Sequence, residues 1–133
     1  MDRSALKRWS PQLLSVLRFV TGLIFMLHGG QKLLGFPPGK MANVPFDNLG
    51  AYAGPIELVA GLLVAIGLFT RPAAFIASGT MAVAYWYAHA PQNLYPVNNA
   101  GDAAILYCFV FLYLAAAGPG PWSVDTLRRR GRR

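Results

Sequence analysis

Arg18, His28, Lys32, Glu57, His89 and Asp102 interrupt or border long apolar runs of this chain. An ionised side chain inside a bilayer costs about 2.5–3.5 kcal/mol on insertion scales, so such residues turn inward and find partners or mark a function. Arg18 and Lys32 balance Glu57 and Asp102 in charge. These groups can pair, exchange protons, or hydrogen-bond a polar ligand, and no self-contained catalytic motif accompanies them. His28 and His89, on different helices, could in principle supply the two axial nitrogens of a b-type haem. Histidines near span ends fit interfacial positions better, and Tyr85, Trp86, Tyr87, Tyr95 and Trp122 fit interface belts better than a cofactor box. The single cysteine, Cys108, excludes an internal disulfide and thiol-pair chemistry. Met26, Met41 and Met81 show no metal-binding spacing, so no metal site is expected.

The elements that must position these groups follow from hydropathy. Of 133 residues, 55% are hydrophobic and 13% charged, against roughly a quarter charged in an average soluble domain. Mean hydropathy is +0.39, which excludes a disordered chain and favours a membrane. Four segments reach the roughly 20 apolar residues a span requires: about 11–34, 51–70, 72–90 and 99–118. The expected fold is all-α, an integral membrane four-helix bundle forming one domain over 1–133. Ser10-Pro11 reads as the start of the first span, Thr70-Arg71-Pro72 as a tight break, and Gly118-Pro119 as the last stop. A soluble bundle is the competing reading. However, 72–101 contains no Asp, Glu, Lys or Arg, and no solvent face can be drawn there. Arg18 interrupts the first run and no small-x-small site follows it, which argues against a cleaved signal peptide.

Twelve Lys and Arg against five Asp and Glu give a net charge of +7. The N-tail basics, Arg71 and the C-terminal arginines all lie beside span ends, which predicts that both termini and the 71 connection are cytoplasmic. Connections 35–50 and 91–98 then face outward. A basic cluster just after a span reads as a topology signal and a contact to anionic lipid, rather than as a nucleic-acid arm.

With that orientation, His28, Lys32, Glu57, His89 and Asp102 gather in the outer third of the membrane and only Arg18 lies toward the cytoplasm. At about 100° per residue, Arg18 and Lys32 fall about 40° apart on one face of the first helix, and His28 shares that side. Gly22 and Gly29 lie there too, while Gly54 and Gly61 flank Glu57, so close helix approach is expected. Two uses stay open: structural pairs fixing helix register, or a ligand or proton site. Glu57 has Lys32 and Arg18 as alternative partners.

The run Arg18 to Gly22, His28-Gly29-Gly30-Gln31-Lys32, Gly54-Pro55-Ile56-Glu57, Gly61, and Gly67-Leu68-Phe69-Thr70-Arg71-Pro72 resembles the DoxX family of small membrane proteins. Asn99-Ala100-Gly101-Asp102 and Gly118 to Asp125 resemble its closing motifs, so the likeness covers nearly the whole chain. The resemblance implies a four-helix protein of the bacterial inner membrane. It also implies association with quinone-linked oxidoreductases or with redox-stress complexes. The motif positions carried over are Arg18, His28, Lys32, Glu57, Arg71, Asn99, Asp102 and Asp125, and the family pattern has Glu at the place of Asp102. A quinone is the ligand this implies, with membrane-associated redox enzymes as partners. A small-molecule transporter or a membrane-protein assembly factor is the alternative function.

Overall fold

The computed structural model describes residues 2–42 and 49–133. Asp47, expected in an outward-facing connection, lies outside the described residues. Among them there are helices and no strand: α1 (Arg3–Leu34), α2 (Leu49–Ile66), α3 (Thr70–Ala84), a π-helical turn (Tyr85–His89), α4 (Pro96–Asn99), α5 (Asp102–Ala117) and α6 (Val124–Arg130). The all-α expectation holds. α1 and α2 are long and apolar enough to cross a membrane. The π turn carries α3 on to residue 89, and α5 is a shorter apolar helix of 16 residues.

The helix ends differ from the sequence expectation in four places. α1 begins at Arg3, not at Pro11, because the Asp2 side chain accepts from the Ser4 amide at 3.0 Å and caps the helix eight residues earlier than Ser10 would. Pro11 sits inside the helix. α2 stops at Ile66 rather than 70, and the break is Gly67 to Phe69, with Pro72 in the first turn of α3, where a missing N–H costs little. The third span does not run as one α-helix to residue 90. At Tyr85 it widens, and the Ala90 amide donates to the Tyr85 carbonyl at 2.9 Å. The fourth helix starts at Asp102, since Ala100 adopts a left-handed φ of 58° and ends α4.

Packing starts from backbone contact. A Cβ on Gly29 would lie 2.3 Å from the Leu58 amide nitrogen, and one on Gly61 2.6 Å from that of Met26. Only glycine permits α1 and α2 to approach this closely. α3 lies on α5, where the Ser78 hydroxyl donates to the Cys108 carbonyl at 2.7 Å, and the shared core holds Phe25, Val64, Ala73, Ala74, Ala77, Phe111 and Leu114. Phe25 and Phe111 meet edge to face with centroids 4.7 Å apart. The exterior is also apolar: Phe19, Val59, Phe75 and Phe109 are 50–65% exposed on four different helices. Water is a poor solvent for such a surface, and lipid a good one.

Candidate functional site

Two polar layers occupy opposite ends of the bundle. At the end of α1 near Leu34, the Lys32 Nζ donates to Glu57 Oε1 at 2.7 Å. The side chains are 12% and 3% exposed, so both charges are withdrawn from solvent. The close α1–α2 seam brings them together, one helix turn beyond Gly29 and one before Gly61. Of the two partners open to Glu57, Lys32 is the one the fold supplies. The other carboxylate oxygen, Oε2, is buried and has no hydrogen-bond partner among the described residues.

Tyr107 of α5 completes this layer, and sequence reasoning passed over it. The exposed His28 ring stands edge-on to Tyr107 at 6.0 Å. Tyr107 in turn stacks on Phe111 at 5.8 Å, which locks its ring against the core. A tyrosine in the middle of an apolar helix is itself a signal, because its hydroxyl needs a polar neighbour when buried.

Asn99 and His89 meet in a separate cluster at the same end. His89 Nδ1 lies 3.0 Å from the Asn99 carbonyl. The Asn99 amide is buried, donates to the Asn93 carbonyl at 2.9 Å and to the Tyr85 hydroxyl at 3.4 Å, and accepts from the Gly101 amide at 2.8 Å. Asn99 therefore ties the break before α5 to the π turn. Asp102 does not join either group. It is the first residue of α5 and exposed, and its side chain makes no hydrogen bond or ion pair among the described residues. An acid in a helix's first turn meets the positive end of the helix dipole, which accounts for its place without a partner. Among the described residues no three His, Cys, Asp or Glu side chains converge on a metal position.

Arg18 lies at the other end and does not pair with Glu57. Its guanidinium donates to the carbonyls of Val64 (2.7 Å), Ala65 (2.5 Å), Pro119 (2.7 Å) and Trp122 (2.5 Å). It thus closes the C-terminal end of α2 and fastens the Gly118–Asp125 segment in one contact. Arg71 does the same for α5, donating to the Ala115 and Ala116 carbonyls. Asp125 caps α3 from another element: Oδ1 accepts from the Phe69 amide and Oδ2 from the Thr70 amide, each at 3.0 Å. Burial pushes the Asp125 carboxyl up, but these two amides and the Arg129 charge outweigh it and hold the group below the usual carboxylate value. The sequence marked Arg71 and Asp125 as motif positions, while their capping roles needed the fold. The hydrogen bonds also bring the α2–α3 break, the closing segment and the N-terminal half of α1 to one end.

The family model for DoxX matches residues 13–90, from the first turns of α1 through the π turn. The chain belongs to the DoxX family. An uncharacterised protein of Haemophilus influenzae is 38% identical over 90% of this chain and 93% of its own length. The inner membrane protein YphA of Escherichia coli is 32% identical over 86% of this chain and 89% of its own. An uncharacterised membrane protein of Mycobacterium tuberculosis is 27% identical over 86% and 80%. No solved structure matches. As a DoxX membrane protein, the chain meets lipid with the apolar exterior described above.

Proposed function

We propose that this DoxX protein is a component of a membrane redox system that binds a quinone, or a related small oxidant, at the Lys32–Glu57 pair. The observation that carries the reading is Glu57 Oε2, a buried carboxylate oxygen left without a donor beside a buried ammonium. Leaving such an oxygen unsatisfied costs roughly 1–3 kcal/mol or more, which an incoming O–H would recover. A quinol hydroxyl fits Oε2, and a quinone carbonyl fits a donor from Lys32, Tyr107 or His28. The bound quinone supplies the redox chemistry. The chain's own residues orient it and hold or accept a proton at Glu57, and electrons pass to or from membrane-associated redox enzymes.

In this reading the whole chain, 1–133, acts as one inner-membrane unit of four spans, formed by α1, α2, α3 with its π turn, and α5. Both termini are cytoplasmic, because the basic residues beside the spans collect at one end of the bundle. The 35–50 and 91–98 connections then face outward and the Lys32–Glu57 layer lies toward the outer leaflet. Solvent extraction of the purified protein tests the ligand: quinone enriched over its ratio in the surrounding membrane is the expected result. Protein without quinone would favour a small-molecule transporter or an assembly factor instead.

A further inference from the structure

The Arg18 end of the bundle holds a cleft of about 440 Å3, lined by Thr70, Arg71, Pro72, Asp125, Arg128, Arg129 and Arg132 among others. Its charge is one-sided: four guanidinium groups face one carboxylate. Both oxygens of that carboxylate are already taken by the Phe69 and Thr70 amides. Arg71 uses one nitrogen, Nη1, on the α5 carbonyls, and its other donors make no hydrogen bond among the described residues. Arg128 lies over the Phe69 ring at 5.1 Å, which fixes the guanidinium at the cleft wall and leaves its in-plane N–H groups available. The side chains of Arg129 and Arg132 make no hydrogen bond among the described residues.

Four guanidinium groups drawn around one cavity repel one another unless an anion enters, and their planar forks match phosphate oxygens. The same end exposes Phe69, Trp122 and Leu127 by 53–64%, a mixture of aromatic and apolar surface suited to the membrane interface. The cleft therefore opens at headgroup depth. We propose that it binds the phosphodiester headgroup of an anionic phospholipid, held by Arg71, Arg128, Arg129 and Arg132. This differs from a diffuse attraction of the basic tail, because the site is a shaped cleft built jointly by α3, the closing segment and α6.

The test is thermal unfolding of the full-length protein in neutral detergent, titrated with phosphatidylglycerol, phosphatidylcholine or inorganic phosphate. Phosphatidylglycerol should raise Tm saturably, and phosphatidylcholine should not. Arg128→Gln/Arg132→Gln should raise the half-saturating phosphatidylglycerol concentration about tenfold or more. Arg3→Gln/Arg8→Gln, which removes the same charge from the N-terminal tail, should leave it within about twofold. Equal losses in the two double variants would overturn the cleft in favour of diffuse attraction. Inorganic phosphate matching the lipid at equal concentration would overturn the lipid as ligand, and no shift with any additive would overturn the site.

Discussion

Removing the Glu57 carboxylate leaves the Lys32 ammonium buried beside apolar side chains with nothing to neutralise it. Broken buried pairs cost about 3–5 kcal/mol, so Glu57→Gln should lower the unfolding free energy by about that amount. Adding Lys32→Met removes the stranded charge and should recover part of the loss in a denaturant titration. Adding Arg18→Met should make matters worse, since that residue holds four carbonyls elsewhere. The cycle thus separates two cations that lie on one face of α1. That shared face was legible from the spacing of Arg18 and Lys32. Which of them reaches Glu57 depended on where α2 ends: its last carbonyls lie at Arg18, while Glu57 lies a little over two turns earlier, beside Lys32. Tyr107 was not legible as part of the layer, because its role comes from α5 facing α1 across the core rather than from anything in its own helix.

At the scale of elements, three of the four longer helices are finished by side chains from elsewhere. Arg18 closes α2, Arg71 closes α5 and Asp125 caps α3. Asp125 replaces the cap that Phe69, in a left-handed conformation with an apolar side chain, does not provide. Its carboxyl is held below its ordinary value, so the contribution is fully present above the unfolded-state pKa and disappears as pH falls through the lower, folded value. Asp125→Asn should cost about 1 kcal/mol at pH 7, as for a lost helix cap. It should also reduce the loss of Tm on acidification relative to the unaltered protein, as followed by circular dichroism. The sequence placed the first break at Thr70-Arg71-Pro72, three residues beyond Gly67, and the last stop at Gly118, but showed nothing of what holds them, because a capping contact made across some 55 residues of chain has no local signature. The π turn was equally hidden, since one widened turn leaves the hydropathy of 72–90 unchanged. Hydropathy places Asp102 inside a span because 99–118 is continuous, and the left-handed Ala100 that interrupts it is not a glycine.

For the whole molecule, the two polar layers are put to different uses. In the Arg18 layer, Arg18 and Asp125 spend their hydrogen bonds on backbone carbonyls and amides at helix ends, which explains these two motif residues without any ligand. In the Lys32–Glu57 layer a buried acceptor remains over. The proposed orientation puts that layer toward the outer leaflet, and reporter fusions check it: a fusion after Arg133 should be active only as a cytoplasmic reporter, and one within 91–98 only as an exported reporter. The general architecture of an apolar, all-helical membrane chain was legible from hydropathy alone, because lipid as solvent demands it. The division of labour between layers was not, because it depends on which polar atoms remain unsatisfied after folding.

The most direct measurement is the quinone content of the purified protein beside that of the Glu57→Gln/Lys32→Met variant. That variant removes the pair while leaving no stranded charge, so both proteins should unfold cooperatively and at comparable temperatures. The account predicts bound quinone in the unaltered protein and at least a tenfold loss in the variant, roughly 1.4 kcal/mol of binding. Equal quinone in the two, with both folded, would contradict it.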